Sequence, residues 1–318
     1  MYNVTLQPSH LSFTVSDEET ILQAALRQEV ALPYSCKTGK CDSCVAIVKS
    51  EGQSPSTIKT CTTIPSQDMI LELELLTELN DVQVKTLPCR IDLLEYASED
   101  VIVLTLRLPP NQRLPFISGQ YIDLIIGDIR RSYSIASTAQ ADKIELHIRK
   151  VVQGKFSQYL FEQAKINDLL RLEGPFGTFF RRKASIVTKR PLIFLAGGTG
   201  FAPVQSMVQS ILATQETTPI WIYWGNQTAE GFYSILPSEW AKGYEWINYH
   251  PVCSTPSSSW QGRTGLVHHA VLADFPSLSS MDVFACGSPA MIEAAKSDFI
   301  QAGLVPSSFY ADAFLPSN

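Results

Sequence analysis

Residues 191–213 read PLIFLAGGTGFAPVQSMVQSILA, and they decide how the second half of the chain must fold. The opening run is apolar without a break, as a strand buried on both faces requires. Gly197, Gly198, Thr199 and Gly200 interrupt it. Val204, Met207, Val208, Ile211 and Leu212 then recur at helical spacing, with Pro203 in the first turn, where proline is tolerated. A strand that turns on glycines into a helix is a cradle for a pyrophosphate. The glycines admit close approach of the backbone, and the helix N-terminus favours negative charge. The same grammar continues outward: PIWIYWG, a helix near 234–242, WINYHPV, a helix near 266–273, DVFACGS, a helix near 290–301, and FYADAF. Strand and helix in alternation predict a doubly wound parallel sheet.

Upstream the grammar differs. RIDLLEYA, DVIVLTLRL, QYIDLII, RSYSIAS and KIELHIRKVV are successive strand-like runs separated by turn residues, with one convincing helix at 156–165. Many strands and few helices predict a barrel, which residues 174–177 (GPFG) would close with a tight turn. Residues 79–88 read as a linker. Before it, residues 1–16 alternate as a β-hairpin, a helix over 19–29 follows with Ser16 or Asp17 as its cap, and residues 69–75 alternate again. Three domains are expected: 1–82, 83–184 and 185–318.

The net charge of −6 is too mild to suggest nucleic acid, and no apolar run approaches the roughly 20 residues that span a bilayer. The N-terminus shows no basic stretch followed by an apolar core, so a cytoplasmic location is expected. Eleven acids against six bases in residues 1–85 make the first module acidic. That suits docking to a basic partner or simply a solvated surface.

Of seven cysteines, Cys36, Cys41, Cys44 and Cys61 crowd together, while Cys89, Cys253 and Cys286 are scattered. A chain of 318 residues needs no disulfide staples, so crowding points to metal. Cys36-x4-Cys41-x2-Cys44 has the spacing of a plant-type 2Fe–2S loop, with Cys61 as the natural fourth ligand. Zinc or free thiols are the alternatives, but zinc arms usually come as paired C-x2-C. Only sixteen residues separate Cys44 from Cys61, fewer than such loops usually hold, and Asp42 stands where a small residue is common.

Arg131, Ser132, Tyr133 and Ser134 supply a cation, a flat ring and hydroxyls on one strand, which are the needs of a flavin's phosphate, isoalloxazine and N5. His147 and Arg149 follow. Gly154, Lys155, Phe156 and Ser157 then open a helix, a second phosphate cradle. Tyr133 alone would equally suit a core. Cys286 and Gly287 end a strand, where open α/β sheets bind ligands.

This order of motifs resembles the ferredoxin–NADP reductase superfamily, in members with an N-terminal plant-type 2Fe–2S domain, and the resemblance covers essentially the whole chain. It implies a multidomain α+β and α/β fold: a β-grasp ferredoxin domain, an antiparallel β-barrel flavin domain and a doubly wound parallel-sheet nicotinamide domain. It implies that Arg131 binds flavin phosphate, Tyr133 stacks on the ring and Ser134 reaches N5. Residues 154–157 match the second phosphate site, Cys286 lies near the nicotinamide C4 without acting as a nucleophile, and Asp312, Ala313 and Phe314 belong to a flavin-facing C-terminal segment. Cys286 and Phe314 also read as packing residues.

The implied cofactors are FAD rather than FMN, a 2Fe–2S cluster, and NADH rather than NADPH, since Arg263 is the only base near the serines 254–259. RRSYSIAS and FLAGGTGFAPVQSMV most resemble members that serve a pyridoxamine-dependent dehydrase of 3,6-dideoxyhexose synthesis. The implied partner is therefore an electron-acceptor protein, that dehydrase or, alternatively, an oxygenase component. An NAD(P)H:flavin reductase with a vestigial ferredoxin domain and a non-catalytic electron-carrier module are the remaining readings. His10, His250, His268 and His269 lack metal spacing and read as surface or core residues, and the five tryptophans read as packing.

Overall fold

The computed structural model describes residues 1–40, 42–49 and 56–314. Two compact units emerge, Met1–Gln83 and Val84–Asn318.

In the first unit, β1 (Tyr2–Gln7) and β2 (Ser12–Val15) form the expected hairpin. Helix α1 (Ile21–Arg27) begins later than the sequence suggests. Its cap is Thr20, which accepts from the Gln23 amide while the Gln23 side chain accepts from the Thr20 amide, a reciprocal capping box. β3 (Val45–Lys49), β4 (Ser56–Lys59) and β5 (Met69–Glu72) complete a five-stranded sheet in the order β2-β1-β5-β3-β4. β1 and β5 run parallel, and the rest pair antiparallel. Val4, Leu6, Ile21, Ala24, Ala25, Leu32 and Leu71 fill the space under α1 with no exposed surface.

The second unit opens with β6 (Lys85–Tyr96), so the stretch read as a linker already pairs: Leu87 lies opposite Leu172. β7 (Val101–Arg107), β8 (Tyr121–Ile126), β9 (Ile129–Ser134), β10 (Lys143–Arg149), helix α2 (Lys155–Glu162) and β11 (Leu169–Phe176) follow. The six antiparallel strands order as β10-β7-β6-β11-β8-β9, and a bridge between Ile135 and Leu146 draws the two edges together. Residues 174–176 are not the predicted turn. They belong to β11, at a register shift between Glu173 and Phe176, because a Cβ on Gly174 would meet Ile122 at 2.9 Å and the strand must bulge there.

Helix α3 (Lys183–Thr188) leads into β12 (Leu192–Gly197), α4 (Phe201–Ala213), β13 (Ile220–Asn226), α5 (Leu236–Gly243), β14 (Ile247–Cys253), β15 (Arg263–Thr264), α6 (Val267–Asp274), β16 (Asp282–Gly287), α7 (Pro289–Gln301) and β17 (Phe309–Ala313). All pairs in this sheet are parallel, in the order β15-β14-β13-β12-β16-β17. The order reverses beside β12, so the crevice beyond the carboxyl ends of β12 and β16 is the ligand position of a doubly wound sheet. Among the described residues no helix is long and apolar enough to cross a membrane.

Candidate functional site

The thiols of the first unit gather because β3 and β4 form a hairpin in which Val45 lies opposite Lys59. That register sets Cys44 and Cys61 side by side, with their sulfurs 3.2 Å apart and no disulfide between them. The short connection therefore still returns Cys61. Thr60 ties the two segments by donating its amide and its hydroxyl to the Cys44 carbonyl. The first amides of α1 donate to Thr60 and Thr63 on either side of Cys61.

Lys37, Gly39 and Asp42 all have positive φ, so these positions wind in the left-handed region. The Thr38 amide points at Cys36 Sγ, 3.4 Å away. Burial first, and then the Cys44 sulfur, push the Cys61 thiol up to about 12. Two buried sulfurs this close carry negative charge together only beside a cation, which fits ligation of a 2Fe–2S cluster by this pair. Asp42 does not leave a bare negative charge. Its carboxylate pairs with Lys59 Nζ at 2.8 Å, and the same ammonium donates to the Gly39 carbonyl at 2.5 Å. Cys41, the other expected ligand, lies outside the described residues.

In the second unit, β8 and β9 place Arg131, Ser132, Tyr133 and Ser134 opposite Leu124, Asp123, Ile122 and Tyr121. The alternation of the strand presents Arg131 and Tyr133 on one face and Ser132 and Ser134 on the other. Ser132 donates to Asp123 at 2.6 Å. The Tyr133 ring lies 5.8 Å from that of Phe156, which is 2% exposed in the barrel core. Phe156 thus supports the ring of Tyr133, and the polar capacity of the next turn lies in backbone.

Gly154 caps α2 without a side chain, and Ser157 bonds back to both the amide and the carbonyl of Val151. The first-turn amides at Lys155 and Phe156 have no intrahelical acceptor, which fits a phosphate. His147 is a satisfied core histidine: its nitrogens meet Tyr233 Oη at 2.9 Å and Glu145 Oε1 at 3.1 Å. Glu145 also accepts from Gln205 of α4, so this group locks the barrel to the parallel-sheet layer. The His147 hydrogen bond, more than any other interaction, holds the Glu145 carboxyl below its ordinary value.

The glycine turn is dictated by close approach. A Cβ on Gly200 would lie 2.2 Å from the Cys286 carbonyl oxygen, and one on Gly198, whose φ is +54°, would lie 2.8 Å from Arg149 Nη1. Arg149 of β10 therefore sets its cation directly over the turn. Gly197 and Gly287 pack against Met291, and the Trp224 indole donates to the Gly198 carbonyl at 2.9 Å. Thr199 completes the turn.

Beside it, three side chains from distant parts of the chain meet. Ser134 Oγ donates to Asp312 Oδ2 at 3.2 Å, and Cys286 Sγ lies 3.9 Å from the same oxygen. Burial and the Asp312 carboxylate push the Cys286 thiol well above its ordinary value, so it is a neutral group and no nucleophile. Sequence reasoning marks Ser134 and Cys286, and it places Asp312 in the C-terminal segment 312–314 without its pairing to either. The signal was an acid inside the otherwise apolar FYADAF. The Phe314 amide donates to the Gly287 carbonyl, and its ring is half-buried against the sheet's core. At the carboxyl end of β13, the Asn226 side-chain nitrogen is buried without a partner, hydrogen-bonding capacity left for a ligand.

Comparison with known proteins agrees with this architecture. Residues 4–69 match the 2Fe-2S iron-sulfur cluster binding domain, 88–180 the oxidoreductase FAD-binding domain and 194–297 the oxidoreductase NAD-binding domain. The chain is 46% identical over 329 residues to the CDP-6-deoxy-L-threo-D-glycero-4-hexulose-3-dehydrase reductase of Yersinia pseudotuberculosis, covering 99% of each. It is 42% identical to protein RfbI of Salmonella typhimurium, covering 99% of this chain and 97% of that one. The crystal structure of the Amycolatopsis cytochrome P450 reductase GcoB superposes with a TM-score of 0.79 at 25% identity over 99% of both chains. The fold and sites thus define an iron–sulfur flavoprotein that oxidises NAD(P)H and passes electrons to a partner protein. The chain belongs to the ferredoxin–NADP reductase superfamily, in the branch with an N-terminal 2Fe–2S domain.

Proposed function

We propose that this chain takes electrons from NADH and delivers them to the dehydrase of 3,6-dideoxyhexose synthesis, the work of a CDP-6-deoxy-Δ-3,4-glucoseen reductase in the cytoplasm. The observation that carries this reading is the match at 46% identity, end to end, with a dehydrase reductase. The domains it assigns, 1–82, 83–184 and 185–318, are supported by one sheet in each.

When bound, FAD would supply conversion of a two-electron hydride into single electrons, and the cluster would supply one-electron carriage. The chain's part is to bind and align. Cys36, Cys41, Cys44 and Cys61 hold the irons. Arg131 and the amides of residues 154–157 hold the flavin's phosphates, with Tyr133 as the ring's platform. Ser134, oriented by Asp312, would offer its hydroxyl to the flavin's reactive edge. Residues 197–200 would receive the pyrophosphate beside the Arg149 cation, and Cys286, Gly287 and Phe314 would line the nicotinamide position. Preference for NADH is supported by Arg263, the one base in that region: it donates to Asp274 at 2.8 Å and to the Ala270 carbonyl at 3.2 Å, and so is spent within the fold.

The test is an anaerobic absorption and EPR titration with NADH, followed by addition of the dehydrase and its CDP-hexulose substrate. Bleached flavin bands, a rhombic signal and dehydrase-dependent NADH oxidation are expected. Oxidation that proceeds without the dehydrase but with free flavin would replace this reading with a flavin reductase. Turnover only with an oxygenase component would replace the acceptor.

A further inference from the structure

His268 and His269 are neighbours at the start of α6, and the sequence offers them no partner at metal-binding spacing. In the fold a partner comes from a distant part of the chain. Adjacent residues on a helix point about 100° apart, so both can reach one group only if it projects between them from a facing element. Asp298 of α7 does so. Its Oδ2 lies 3.4 Å from His268 Nε2 and 3.9 Å from His269 Nε2. The two rings are 4.3 Å apart at 64°, and one ligand atom from each of the three residues falls within 4.8 Å of the other two.

These separations are too long for hydrogen bonds, which hold nitrogen and oxygen at about 2.7–3.2 Å. The 3.4 Å separation matches the edge of a metal tetrahedron, roughly 3.3 Å for bonds of about 2.0–2.1 Å, and the exposed His269 ring need only turn inward to shorten the other. A second observation is independent of them. The His268 side chain is only 5% exposed, yet its Nδ1 is buried without a partner. A buried imidazole with neither nitrogen well bonded carries a cost, and an ion at Nε2 removes the part that falls on that nitrogen. The other two groups leave a way in: His269 is 62% exposed and Asp298 35%.

We propose that His268, His269 and Asp298 form a binding site for a divalent transition cation of the zinc class, which clips α6 to α7. Two imidazoles select such a cation over calcium or magnesium, which prefer oxygen donors. Three protein ligands leave a fourth position for water. α6 packs on β13 and α7 on β16, so the ion would join two helices that cover different strands of the parallel sheet. None of the three residues belongs to the electron path.

The probe is Zn2+ alone, equilibrated by dialysis with the flavin- and iron-loaded protein, with zinc and iron counted by mass spectrometry. Wild type and His10→Ala should retain one zinc beyond the iron. His269→Ala and Asp298→Asn, both at accessible side chains, should bind it more than about 100-fold more weakly, beyond the cost of losing an outer-shell partner. X-ray absorption at the zinc edge should show nitrogen and oxygen neighbours with imidazole scattering. No retained zinc, equal retention by the variants, or sulfur in the zinc shell would each overturn the proposal.

Discussion

The thiol loop and the nicotinamide crevice reach similar compactness by opposite routes. Cys44 and Cys61 lie 17 positions apart and are joined by one hairpin, whereas Ser134 and Asp312 lie 178 positions apart and meet only after barrel and parallel sheet are both in place. In the loop, side-chain chemistry is the function, and the surrounding backbone is a holder. In the crevice the backbone itself is the cradle, and the side chains mainly keep other atoms away. Damage should therefore look different in the two places: a lost ligand in the first, a lost shape in the second.

The sharpest break is Cys61→Ser. It should abolish the rhombic EPR signal and lower cytochrome c reduction more than about 100-fold, while ferricyanide reduction by the flavin stays within about twofold. Persistence of cytochrome c reduction would mean the thiol loop is off the electron path. Next is Gly200→Ala, whose methyl group must displace the Cys286 carbonyl. A shift of that kind should cost about 100-fold in kcat/KM for NADH while flavin and iron contents hold, since small misplacements cost that much in aligned reactions.

Asp312→Asn keeps the shape and removes the charge that orients Ser134. Stopped-flow flavin reduction should slow roughly tenfold, about 1.4 kcal/mol, with cofactor content unchanged. An unchanged rate would reduce the Ser134–Asp312 pair to packing.

The smallest effect concerns the lock between the layers. Glu145 is held below its ordinary carboxyl value of 4.5, chiefly by His147. Its contribution is thus complete above about pH 4.5 and disappears as the pH falls through the lowered folded value. Glu145→Gln should lower the melting temperature near neutrality by the equivalent of about 1 kcal/mol and flatten the acid side of the stability profile. An acid limb of unchanged slope would assign that dependence elsewhere.

The same contrast explains what was readable. The spacing of Cys36, Cys41 and Cys44 and the run of residues 191–213 are local patterns, so ligand types, glycine turn and parallel sheet could be named from the chain alone. Pairings between distant segments could not. Asp312 gains its meaning from lying beside Cys286 in register, which depends on β17 docking against β16. The bulge in β11 and the early start of β6 follow from contacts with Ile122 and Leu172 in neighbouring strands. The cap of α1 was misplaced onto Ser16 or Asp17 because both are good caps by type. Only the reciprocal bonds of Thr20 and Gln23 decide among three candidates.

Asp274 serves two masters. One oxygen receives Arg263, and the other receives the hydroxyl of Tyr223, a residue with no exposed surface in the middle of the parallel sheet. Removing Asp274 to free the arginine for an extra phosphate would also strand a phenol in the core. On the proposed preference for NADH, coenzyme choice and sheet integrity are inherited together: losing Asp274 to accept NADPH would require a repair at Tyr223 in the same step.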